Sequence, residues 1–228
     1  MDAVFSSWRE SGLVWLPERG MGHYPVEGSP YDEAYFRKYQ EYAATELGRT
    51  LTLGRLAIID RYGLDLGPVL DVGIGCGAFV DLGRKRGFLT WGYDTSSVAA
   101  EWLRHRRCWL NPYEAPVPVA TFWDSLEHLP DPAGLLRRVT DWAFVSLPLF
   151  TDARHILNSK HFRKDEHRWY WTREGFLNWM REQGFECLEH STPETLLGRE
   201  DIHTFVFRRA GSSESLGDPE TPSRTEDP

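Results

Sequence analysis

From within an apolar run at residues 69–74 to the start of a helical stretch at Ala78 stand Asp71, Gly73, Gly75 and Gly77, spaced Asp-x-Gly-x-Gly-x-Gly. Glycines at that place let the backbone turn tightly from strand to helix and let a ligand approach the chain closely. The next apolar run, residues 88–93, ends on Asp94. A carboxylate about 20 residues beyond such a loop is where ribose hydroxyls can be bound. The loop therefore predicts a nucleotide-like ligand at the ends of parallel strands.

The rest of the chain fits that frame. Tyr35, Tyr39 and Tyr42, then Leu53, Leu56 and Ile59, fall at helical spacing, which predicts two helices over 31–62 with a break near Gly48. Strands are expected at 69–74, 88–93, 108–110, 117–123, 142–147, 185–190 and 203–208. Helices lie between them, behind Ser96, behind Asp131-Pro132 and behind Thr172. The alternation predicts an α/β, Rossmann-like, seven-stranded and mostly parallel sheet with helices on both faces. The last pair has no helix between its strands and predicts an antiparallel C-terminal edge. Residues 1–30 are rich in Gly and Pro and are expected to be an irregular arm, and 150–171 a loop. The expected divisions are a helical N-terminal cap (1–63), a core (64–210) and a disordered acidic tail (211–228), whose five acids face one Arg224.

Gly73, Gly75 and Ala78 also satisfy a dinucleotide G-x-G-x-x-A pattern, so an NAD-dependent oxidoreductase is a rival. Against it, the loop lies some 70 residues into the chain after a helical region, and little length remains for a separate substrate domain. A turn that serves only the fold would also fit the glycine spacing, as would a non-catalytic module that holds a cofactor.

Further motifs follow in order: Trp91-Gly92-Tyr93-Asp94, then Phe122-Trp123-Asp124-Ser125-Leu126-Glu127-His128, then Val145-Ser146-Leu147-Pro148, then Trp171-Thr172-Arg173-Glu174-Gly175-Phe176. Together with the glycine loop, and over about residues 65–210, they resemble the class I S-adenosylmethionine-dependent methyltransferases of small-molecule type. The resemblance implies S-adenosyl-L-methionine as cofactor and a methyl transfer. It implies that Gly73, Gly75 and Gly77 run beneath the methionine and ribose parts and that Asp71 orders the loop. It places Asp94 on the ribose, Thr95 beside the adenosine and Trp109 to Asn111 near the adenine. Phe122, Trp123 and Asp124 would approach the methionine end, and Tyr35 or Tyr39 would bind its carboxylate. Aromatic faces suit a sulfonium cation. The DNA amino-methyltransferases of this fold carry Asp/Asn-Pro-Pro-aromatic after the fourth strand; Trp123-Asp124-Ser125-Leu126 stands here instead.

A hydroxyl acceptor gains from a base, and His128 after the fourth strand is the first candidate, with His161 or His167 second. His155, His161 and His167 recur every six residues, a spacing that matches no ligand motif, and no residue set is assigned to a metal. Trp8, Trp15, His23, Tyr24, Tyr31, Tyr35, Phe36 and Tyr39 are candidates for a lid. Two basic runs, Arg84-Lys85-Arg86 and Arg104-His105-Arg106-Arg107, can meet a phosphate backbone or serve as solvated helix ends. The balance of 26 Lys+Arg against 34 Asp+Glu, a net −8, turns the choice toward a small-molecule acceptor, with a nucleotide or nucleic acid second. Three cysteines without a C-x-x-C argue for a reducing compartment, and neither a basic-then-apolar leader nor an apolar run of about 20 residues is visible. A soluble cytoplasmic protein with no membrane partner is the expectation; nothing in the sequence specifies an oligomer.

Overall fold

The computed structural model describes residues 11–28, 30–63 and 67–212. Trp8 and the expected disordered tail beyond Ser212 lie outside the described residues. A parallel ladder runs β4 (Thr90–Tyr93), β3 (Val69–Val72), β5 (Val117–Trp123), β6 (Val139–Phe150), and β9 (Ile202–Arg209) continues it antiparallel to β6. β8 (Phe185–Ser191) closes that edge, paired antiparallel with β9. All four residues of β3 are buried, as a strand covered on both faces requires.

The sheet has nine strands where seven were expected, for two physical reasons. The expected strand at 108–110 is reduced to one parallel bridge between Gly92 and Trp109. Arg107, at φ 53, turns the chain into it, and the Asn111 side chain accepts the Tyr113 amide and turns the chain out. Three strands are gained from segments expected to be irregular. β1 (Val14–Leu16) and β2 (Met21–His23) form a hairpin that pairs antiparallel with β7 (Trp169–Thr172), and β7 joins the end of β6 at Leu149 and Phe150. Runs of three or four residues are too short to show a period of two. The expected loop at 150–171 also holds a short helix, α6 (Ala153–Asn158), which Asp152 caps.

α1 (Glu33–Ala43) starts where the Asp32 carboxylate accepts the Tyr35 amide, and α2 (Glu46–Asp60) where the Thr45 hydroxyl accepts the Gly48 amide. The break thus falls at Ala44–Thr45, three residues before Gly48. Gly48 has its own reason to lack a side chain: a Cβ there would lie 2.2 Å from the Tyr42 carbonyl oxygen. α3 (Ala78–Lys85), α4 (Ser97–His105), α5 (Pro132–Leu136) and α7 (Arg173–Glu182) complete the layers. Phe176, Trp179 and Met180 of α7 pack with Phe122, Val145, Phe205 and Phe207 on one face. Leu56 and Ile59 of α2 and Phe79 of α3 pack with Val119 and Phe144 on the other. Each such side chain contributes about 1.5–3 kcal/mol on burial, so both faces hold the sheet and its strand ends in place. Among the described residues, no helix is long and apolar enough to cross a membrane.

Candidate cofactor and acceptor site

The loops that leave β3, β4 and β5 converge at the carboxyl ends of the parallel strands, where open α/β sheets place their ligands. Gly73, Gly75 and Gly77 all take left-handed φ, at 75, 56 and 80°. Their reasons differ. A Cβ on Gly73 would lie 2.5 Å from that of Ser125, whose hydroxyl donates to the Val72 carbonyl. A Cβ on Gly77, the residue before α3, would lie 2.3 Å from the Trp102 ring. A Cβ on Gly75 would meet nothing within 4 Å and would project into a cavity. Gly73 and Gly75 line that cavity; Gly77 packs behind it.

The cavity, of about 250 Å³, lies between this loop and a roof made by α1 and the residues before it. Tyr31, Tyr35 and Tyr39 form the roof, with ring centroids 5.0 and 4.6 Å apart in sequence. Asp94 accepts the Ser96 amide at 2.8 Å, and burial pushes its carboxyl up to about 6. Asp71, at the end of β3, accepts the Thr121 hydroxyl at 2.7 Å, and burial pushes it up to about 7. Thr95 lines the same wall.

The opposite wall comes from the turn after β5. Trp123 and Asp124 line it, whereas Phe122 is fully buried in the core and Trp109 packs under the Arg104 guanidinium, 4.7 Å away, outside the cavity. The strand's alternation explains Phe122: neighbours point to opposite faces. Asp124 takes φ 54 and sits between Arg55 of α2, at 2.7 Å, and Arg199, at 3.0 Å. Burial pushes its carboxyl up, but the two guanidiniums outweigh that and hold it well below the usual carboxylate range. Glu194 pairs with the same two arginines.

His128, on the turn Leu126–His128, shares a 2.6 Å hydrogen bond between its Nδ1 and the Tyr31 hydroxyl. Burial lowers its pKa to about 4, so the imidazole is neutral. His167 stands 4.5 Å from it, ring centroid to centroid, also buried and pushed well below its usual range. Arg168 donates its amide to the Glu127 carbonyl and fixes that approach. His161 lines the cavity and donates from Nε2 to the Glu200 carbonyl at 3.0 Å. His155 lies instead beside Asp201, at 3.3 Å, so the six-residue series does not converge.

The expected lid divides. Tyr31, Tyr35, Phe36 and Tyr39 line the cavity, whereas Trp15, His23 and Tyr24 belong to the hairpin, His23 against Trp169 and Tyr24 against Phe162. Arg106 lies 3.8 Å over Trp102 and pairs with Asp81, while Arg84 donates to the Thr90 carbonyl, so part of each basic run is engaged in helix-end packing. Arg55, Glu194, Arg199 and Arg163 are site residues that the motifs did not mark. Only Arg55 carried a signal, a cation beside the apolar stripe of Leu53, Leu56 and Ile59.

Comparison with known proteins agrees with this geometry. The family described as a methyltransferase domain matches residues 35–190. The chain belongs to it: it is a class I methyltransferase with S-adenosylmethionine as its cofactor. Among solved structures, an S-adenosylmethionine-dependent methyltransferase from Archaeoglobus fulgidus is similar in fold, with a TM-score of 0.54 at 16% identity over 78% of this chain and 100% of that one. The 1,6-didemethyltoxoflavin-N1-methyltransferase of Burkholderia thailandensis gives 0.52 at 15% identity over 86% and 98%. A glycopeptide N-methyltransferase gives 0.51 at 15% over 68% and 89%. No curated protein sequence matches the chain.

Proposed function

We propose that the protein transfers a methyl group from S-adenosylmethionine to a hydroxyl oxygen of a small molecule. The observation that carries the reading is the cavity that joins the glycine loop and Asp94 to the turn bearing His128. The residues fit the cofactor: Gly75 leaves a cradle that a Cβ would fill, and Asp94 is a half-buried carboxylate beside it. The cofactor supplies an electrophilic methyl on a sulfonium, displaced in line, so that the sulfur–carbon electron pair stays on sulfur as the oxygen–carbon bond forms.

The chain's own residues then have separable tasks. Asp94 binds the ribose hydroxyls, Thr95 flanks the adenosine, and Asp71 holds the loop. Trp123 and the tyrosine roof surround the positive centre with ring faces. Tyr39 reaches toward the methionine end. The acceptor lies at the histidine end of the cavity, enclosed by the roof, which excludes water and aligns the reacting atoms. With Nδ1–H of His128 donating to the Tyr31 oxygen, the Nε2 lone pair is placed to take the acceptor's proton; His161 and His167 stand around it.

Calorimetry with S-adenosylhomocysteine and NAD tests the reading. Binding of S-adenosylhomocysteine, weakened more than about 100-fold in Asp94→Ala through loss of two charge-assisted hydrogen bonds, is the expected outcome. Binding of NAD in its place would sink the reading.

A further inference from the structure

We propose that Glu127, His128 and His167 form a site for one divalent cation of the zinc class, open on its cavity side. The three residues each offer one ligand atom, all within 4.8 Å of one another, and all three line the cavity. Glu127 is the observation that demands an occupant. Its side chain is 1% exposed, and among the described residues neither carboxylate oxygen has a hydrogen-bond partner. A buried carboxyl left with no partner costs several kcal/mol in isolation, yet no described arginine or lysine is paired with it. Arg163, which also faces this end, is paired with Glu166, and Arg55 and Arg199 with Asp124 and Glu194. His167 Nδ1 is likewise buried without a partner.

The groups that would orient the ligands are already in place. Nε2 of His128 lies 3.8 Å from Glu127 Oε1, while Nδ1 is held by the Tyr31 hydroxyl. A metal-bound imidazole characteristically donates its other N–H to such an oxygen, which fixes the tautomer and the ring. The backbone bond from Arg168 to the Glu127 carbonyl holds the two ligand-bearing segments together. Ligands about 2.1 Å from a tetrahedral ion stand about 3.4 Å apart, so the His128–Glu127 pair closes by about 0.4 Å and no pair by more than about 1.4 Å on binding. Two imidazoles and one carboxylate are nitrogen and oxygen donors without thiolate, a set that zinc accepts with a fourth position left open.

The site deepens the proposed methyl transfer and, for its catalytic role only, rests on it. With the ion bound, the Nε2 lone pair of His128 binds metal in place of a proton. The acceptor oxygen occupies the open position, its O–H bond breaks at lowered pKa and the proton passes to bulk solvent before the roof closes over the acceptor. The oxygen–carbon bond then forms as before.

The test uses the full chain, stripped with a chelator and titrated with Zn²⁺ by calorimetry and with Co²⁺ by visible absorption, alongside S-adenosylhomocysteine. One ion per chain is expected, with a tetrahedral Co²⁺ spectrum. Glu127→Gln and, separately, His167→Gln should weaken the ion by more than the ~10–100-fold typical of losing a group that merely orients a ligand, with S-adenosylhomocysteine binding retained. No stoichiometric ion in a protein that binds S-adenosylhomocysteine overturns the metal site alone. An ion equally tight in both variants also overturns it. Ion binding without S-adenosylhomocysteine binding would overturn the proposed function and leave the metal site standing.

Discussion

Asp71 and Asp94, at the ends of two neighbouring strands, show how two carboxyls of one site acquire opposed demands. Burial raises both, to about 7 and about 6. A raised carboxyl keeps its proton in the folded chain after the unfolded chain has lost it, at about pH 3.9. Its stabilising contribution is therefore full below about pH 4 and is lost as pH rises through about 6 to 7. Ribose binding pulls the other way, because Asp94 accepts hydroxyl protons best when ionised. S-adenosylhomocysteine affinity should accordingly rise by up to about tenfold per pH unit below pH 6 and level off above it; calorimetry across that range checks it. In urea unfolding, Asp71→Asn should gain on the parent as pH rises from about 4 to about 7 and hold that gain above it, since it removes the ionisation that burial opposes. Neither shift was legible in the sequence. The spacing of Asp94 from the glycines marked its position, but its environment depends on Ser96 and on the covering roof.

At the scale of elements, α2 is tied to the turn after β5 and to the segment before β9 by Arg55, Asp124, Glu194 and Arg199. The Arg55 side chain is 16% exposed and that of Glu194 5%. Arg55→Ala leaves Glu194 a buried charge with one partner fewer, and a loss of about 3–5 kcal/mol is expected, read as a lower denaturant midpoint. The same substitution leaves Asp124 with Arg199 as its one described guanidinium partner, so cofactor binding should weaken as well. α1, α2 and the parallel strands were legible because each is long enough to show its period. The tie between them was not, because its partners lie 69 and 139 positions from Arg55. Phe122 and Trp123 illustrate the same limit: the motif named both, and only the strand's alternation sends one to the core and one to the cavity.

For the molecule as a whole, β6 joins two regions that the sequence presented as unrelated. Twelve residues long, it pairs with β5 and β9 along most of its length and with β7 at its end, carrying the hairpin of β1 and β2 into the same sheet. Gly20 seals that junction: its carbonyl accepts the Thr172 amide at 2.8 Å, and a Cβ on it would stand 2.3 Å from the Thr172 hydroxyl that caps α7. Gly20→Val should cost about 2 kcal/mol, from the lost cap and a left-handed valine. Hydrogen exchange should show residues 21–23 and 169–172 losing protection together. Tyr31 has a role of another kind. Its carbonyl accepts the Ser96 hydroxyl beside Asp94, and its phenol meets His128 across the cavity. One residue thus fastens the ribose wall and the histidine wall to the same roof. Two bonds of about 1 kcal/mol each would let that fastening open in a minority of molecules at any instant. Its lifetime would meter traffic for both ligands, so departure of the spent donor and arrival of the next acceptor would share one clock.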